Sequence, residues 1–119
     1  MTSKIFSSAF SQEKDRQRGP EELIAKVQKD LEGASCDLAL FFVSEGYVSI
    51  NPLLLAGLFK EKLVCSVLLG CNASGIIGTD REIEFEPALS ILAMHLPNAK
   101  ILPFSMSAFE ANRLEKGED

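Results

Sequence analysis

Two short, near-continuous apolar runs constrain this chain most: Asp37–Val43 (DLALFFV) and Val64–Cys71 (VCSVLLGC). Both fall far short of the ~20 residues a membrane-spanning helix needs. With helices on either side, DLALFFV reads as a central strand buried on both faces, and VCSVLLGC as a second buried strand. Between them, Asn51-Pro52 marks a helix start. An asparagine side chain can cap the first turn, and a proline there lacks only an N–H that would have no partner. Leu53–Leu63 is apolar nearly all round until Lys60, Glu61 and Lys62, which predicts a helix buried on more than one side.

The flanking segments extend the pattern. Ile5–Phe10 is short and apolar with interspersed serines, a first strand. Ser11–Gly19 is a polar connection, and Pro20 opens a helix. Leu23, Ile24, Val27 and Leu31 share one face of that helix. Glu21 and Glu22 favour its N-terminal dipole, and Gly33 permits a left-handed cap at its end. Strand, helix, strand, helix, strand is the order of an α/β layer with parallel pairing. Past Gly70–Gly78, the alternation of Thr79–Glu86 predicts a strand with one wet face, and Pro87 interrupts it. Ala88–Leu96 reads as a strand, with a helix as the alternative. Lys100–Phe104, beyond the turn at Pro97-Asn98-Ala99, suggests a hairpin or neighbouring antiparallel strands. The expected fold class is α/β, or α+β, with two or more helices packed on a mixed sheet.

Charge excludes some functions. Twelve basic residues against seventeen acidic give a net charge of −5, and most of the excess follows residue 79. No basic face emerges, so nucleic acid is not an expected partner. No membrane partner is expected either. Three cysteines without a CxxC pair argue for a reducing compartment, and a single histidine leaves no zinc spacing. No metal or cofactor is expected. The N-terminus lacks the apolar region of a secretory signal; its serines and lack of acids before Glu13 leave organellar targeting open beside a cytoplasmic location.

The candidate chemistry is sparse. In GCNASGIIG, glycines 70, 75 and 78 allow sharp turns and close approach of a ligand to backbone N–H groups. The segment has no Lys-Ser/Thr pair of a phosphate loop, no GxGxxG spacing and no GxSxG elbow. It is either a turn that needs glycine for its backbone alone or a turn that contacts a ligand. Cys71 and His95 are the sole nucleophile–base pair to consider, while Cys36 and Cys65 read as small apolar core residues. Glu82, Glu84 and Glu86 alternate onto one face, most simply a solvated one. Tyr47 and Asn51 read as a packed ring and a cap, or as the lining of a pocket. No catalytic constellation is recognisable, and the expected function is not enzymatic.

Several segments together resemble the FIST domain, named for F-box and intracellular signal transduction proteins. They are SSAFS, EELIAKVQKDL, CDLALFFVS, VLLGCNASGIIG and REIEFEPALSILAMHLP, of which LLGCNASGIIGTDREIE is the most specific. The resemblance covers the front of the FIST N-terminal domain. It assigns residues 1–106 to a partial domain of that kind and leaves 107–119 as a polar tail that frays. It implies intracellular sensing of small, amino-acid-like ligands. By it, Gly70, Cys71, Ser74, Gly75 and Gly78 match the family's glycine turn, and Arg81 and Glu82 the segment after it. The chain stops soon after ILPFSMS, which suggests a fragment whose partner is the missing C-terminal portion. The alternative is an assembly module that uses an exposed sheet edge.

Overall fold

The computed structural model describes residues 3–15, 17–44, 52–73, 75–77, 82–84 and 88–108. These residues form β1 (Ile5–Ser11), α1 (Arg18–Leu31), β2 (Leu38–Ser44), α2 (Pro52–Leu63), β3 (Val67–Ala73), β4 (Gly75–Ile77), β5 (Glu82–Glu84) and β6 (Leu89–His95). Four strands make one sheet in the order β1-β6-β2-β3, and β4 and β5 pair separately. β2 and β3 run parallel and are joined through α2, whereas β6 is antiparallel to both β1 and β2. β1, β2 and β3 therefore share one direction, with β6 reversed between the first two. This is the expected mixed sheet with two helices packed on it, an α+β fold.

Ala88–Leu96 is a strand rather than a helix over Leu89–His95. The turn after it forms as expected: Asn98 has φ 68°, and the Ala99 N–H donates to the Leu96 carbonyl (3.2 Å). Lys100–Phe104, however, is not a strand. Both edges of β6 are already paired, so its ladder has no position left for a neighbour.

The core lies on one face of the sheet. Ala39, Phe41 and Val43 of β2 and Leu89, Ile91 and Ala93 of β6 meet Leu23, Ile24, Val27 and Leu31 of α1 and Leu55, Phe59 and Leu63 of α2. The sequence reading buries β2 on both faces and α2 on more than one side. In the structure β2 buries one face, and α2 buries one stripe while leaving Leu53 and Leu54 exposed. Both differences have one cause: among the described residues a single helical layer covers a single face.

The serines of β1 fit this layer. Ser7 and Ser11 are buried, and their hydroxyls donate to Asp30 and Glu22 of α1, each at 2.7 Å. Lys26 also pairs with Asp30. The helix itself starts at Arg18, two residues before Pro20. Asp15 explains the early start: its Oδ1 accepts from the N–H groups of Gln17 (2.8 Å) and Arg18 (3.1 Å). At the other end Glu32 (φ 49°) and Gly33 (φ 86°) both take the left-handed conformation.

These contacts set a pH dependence. Hydrogen bonds from Gln17 and Arg18 hold the Asp15 carboxyl below its ordinary value of 3.8, and bonds from Lys26 and Ser7 do the same for Asp30. A carboxyl lowered in the folded state contributes stability above its unfolded pKa and loses it as pH falls through the folded pKa. Both are therefore expected to titrate below 3.8 in carboxyl-detected NMR; a midpoint at or above the ordinary value would contradict the hydrogen bonds to that carboxyl.

Val64 follows α2 with φ 52°, a conformation that a β-branched residue seldom takes. Its side chain is 77% exposed and contributes little to packing. Val64→Gly is expected to stabilise the fold by about 1 kcal/mol, because the left-handed strain of ~1–2 kcal/mol exceeds the freedom gained by the unfolded chain. The check is an increase in the urea midpoint at constant slope. No helix among the described residues is long and apolar enough to cross a membrane.

Candidate functional site

Strand alternation that fills the core also builds the opposite face. On that face Phe42 lies between Cys71 and Ser90, Leu40 between Leu69 and Leu92, and Leu38 between Val67 and Met94. Phe6 of β1 is opposite Met94. No residue in these rows is charged. Phe6 is 59% exposed, Leu69 53%, Phe42 39% and Leu92 37%. Strands that run parallel are ordinarily covered on both faces. β3 ends the sheet with no strand on its outer side among the described residues.

The sequence-derived site residues fall in different places. Gly70 and Cys71 are not in a turn; they lie within β3, opposite Phe41 and Phe42. A Cβ on Gly70 would fall against Cδ1, Cε1 and Cζ of Phe41, so this glycine makes room for an aromatic ring. Phe41 in turn meets Phe59, with ring centroids 5.2 Å apart. Cys71 is exposed on the open face, beside a small hollow of about 130 Å³ bounded by Leu40, Phe42 and Leu69. Gly75 and Glu82 belong to the β4–β5 pair, where Gly75 is opposite Glu84 and Glu82 opposite Ile77. Ser74, Gly78 and Arg81 lie outside the described residues, as do Glu86, Tyr47 and Asn51.

Cys71 and His95 do not form a pair. Cys71 is opposite Phe42 on the open face, whereas His95 follows Met94, the partner of Leu38 at the other end of β2, and faces the helical layer. His95 Nδ1 lies 2.9 Å from the Ser35 carbonyl, 3.2 Å from the Ser35 hydroxyl and 3.5 Å from Asp37 Oδ2. A carbonyl can only accept, so Nδ1 carries the hydrogen. Nε2 is buried without a partner among the described residues. A relay would need serine on one ring nitrogen and carboxylate on the other; here both crowd Nδ1. Asp37 instead braces the strand ends: its Oδ2 accepts from the Leu96 N–H at 2.6 Å, and its Oδ1 from the Ser35 hydroxyl at 3.1 Å.

One pair escaped the sequence reading. Leu38 and Val67 are register partners 29 residues apart, and the same offset sets Cys36 opposite Cys65. Their sulfurs are 2.9 Å apart and both residues are buried. A hydrogen bond from Cys65 holds the Cys36 thiol below its ordinary range; the same contact, with burial, pushes the Cys65 thiol up. Cys36 also lines an open pocket of about 340 Å³ between the C-terminal ends of α1 and α2. Gln28 and Lys62 line it too, and the Gln28 side-chain amide donates to the Lys62 carbonyl (3.1 Å).

No family model matches the sequence, and no curated protein matches it. Among solved structures, the chain is similar to CetZ1 from Haloferax volcanii, a GDP-bound monomer, at 11% identity and a TM-score of 0.40. The similarity covers 80% of this chain and 30% of that one, so the chain spans less than a third of that protein's length.

Proposed function

We propose that the chain is a non-enzymatic assembly module whose open sheet face binds a second copy of itself. The observation that carries this reading is the uncharged apolar face formed by Phe6, Leu40, Phe42, Leu69 and Leu92 beside the outer edge of β3, which no strand covers among the described residues. Its area continues across four strands, and such a face in water invites a covering layer. A second copy fits because the face is self-complementary: each chain offers the same uncharged surface, and a twofold axis brings the two together. A net charge of −5 opposes contact elsewhere but not through this face. Sedimentation velocity is expected to show a monomer–dimer equilibrium shifting with concentration. Phe42→Lys with Leu69→Lys is expected to leave a folded monomer, since a buried unpaired charge destabilises the interface by several kcal/mol. A wild-type monomer at every concentration up to the millimolar range overturns the proposal.

Small-ligand sensing, which the FIST resemblance implies, is the second reading. It is favoured by the pocket of about 340 Å³ beside Lys62, a volume within the ~300–1,000 Å³ range of small-molecule sites. Under this reading the ligand would sit beside Lys62, whereas the FIST resemblance implies a site at residues 70–82. An amino acid at 100 times its dissociation constant would stabilise the fold by ~2.7 kcal/mol, and Lys62→Ala would abolish the corresponding thermal shift.

A further inference from the structure

We infer that Cys36 and Cys65 form a redox-active dithiol that a low-molecular-weight disulfide entering the pocket beside Lys62 oxidises to an intramolecular disulfide. Three observations converge. The parallel register sets the two cysteines opposite each other just ahead of β2 and β3, and the Ser66 N–H donates to the Cys36 carbonyl (3.1 Å). Neighbouring strands lie about 4.8 Å apart, within the Cα separations that disulfides span. The sulfurs are already in contact at 2.9 Å. Finally, both residues are buried, and Cys36 but not Cys65 lines the open pocket, so the pocket approaches the pair from the Cys36 side.

The two thiols have separate roles. The hydrogen bond from Cys65 favours the thiolate of Cys36, the species that attacks. That thiolate attacks one sulfur of the small disulfide RSSR. The S–S bond of RSSR breaks, RS⁻ leaves, and a mixed disulfide forms on Cys36. Cys65 then gives its proton to the departed thiolate and attacks the Cys36 sulfur. The second RS⁻ leaves and takes up the proton released when Cys36 ionised. The protein loses two electrons and two protons, and RSSR becomes two RSH. The new bond would close a loop of 30 residues, Cys36 to Cys65, that contains α2.

Oxidised glutathione is the probe, applied to the full native chain carrying Cys71→Ser so that the exposed thiol takes no part. Mass analysis after alkylation is expected to show a Cys36–Cys65 disulfide in the monomer, with Tm raised by roughly 10 °C. With Cys65→Ser in the same background, glutathione is expected to accumulate on Cys36. With Cys36→Ser, Cys65 is expected to stay unmodified. If both thiols remain alkylatable after equilibration with excess oxidised glutathione, the proposal fails. It fails equally if the disulfide forms only in denaturant, or if a mixed disulfide on Cys36 persists while Cys65 is present. Should either serine variant fail to fold, the Cys71→Ser chain alone still decides.

Discussion

Phe59→Ala is expected to destabilise the fold by about 3–5 kcal/mol, the usual cost of emptying a fully buried aromatic site. Among the described residues Phe59 is the largest fully buried side chain, and it sits on the buried stripe of α2 between Leu55 and Leu63. Its ring packs against Phe41 of the central strand β2. The loss is therefore felt where the second helix meets the sheet. Small domains have only ~5–15 kcal/mol of stability, so the variant should fall near the edge of folding. Urea unfolding followed by far-UV circular dichroism measures the change. A loss below about 1 kcal/mol would show that α2 is not held to the sheet through this ring.

Gly70→Ala is the second large effect, and its sign separates two views. A glycine inside a strand ordinarily costs ~0.5–1 kcal/mol relative to alanine, so strand propensity alone predicts stabilisation. The structure predicts the reverse. The Phe41 ring lies over Gly70, where a methyl group would collide with it, and Phe41 is itself buried against Phe59. An aromatic ring covering an edge-strand glycine is a known stabilising arrangement. The alanine variant is expected to lose about 2–3 kcal/mol through overpacking. The two substitutions should also couple. Once Phe59 is gone, the Phe41 ring has room to move, so the double variant should be more stable than the sum of the singles implies, by ~1 kcal/mol or more. Strict additivity would mean that the three residues are not a packed unit.

Local signals carried much of the fold. Asn51-Pro52 and the two apolar runs were enough to read the β2–α2–β3 unit, because a helix start between two apolar strands admits few arrangements. The position of β6 was less visible. Ala88–Leu96 is apolar without clear alternation, and nothing local says that it inserts between two other strands. The open face was illegible for another reason. An apolar run shows that both faces of a strand are fit to be covered, not that this chain supplies both covers.

The candidate site was legible only in part. Gly70 stood out as a glycine, but its partner is a ring 29 residues away, and only the register reveals it. The same holds for Cys36 and Cys65. They look like scattered core residues until the parallel pairing gives them a common offset. A CxxC spacing would have been visible; a cross-strand pair is visible only in three dimensions. His95 and Asp37 likewise meet through the β2–β6 ladder rather than through any short motif.

The reversed strand has a consequence for how the chain comes to be folded at all. During synthesis β1, α1, β2, α2 and β3 leave the ribosome first, yet β1 pairs only with β6 among the described strands. Until residue 95 has emerged, the first strand has no sheet to join, and the parallel pair β2–β3 carries an open edge where β6 belongs. Folding therefore closes late, by inserting β6, the last of the described strands, between β1 and β2, with much of the loop-closing entropy lost in one step. Stalled or shortened chains ending before β6 would keep both apolar edges bare, which makes them ready substrates for chaperones and proteases.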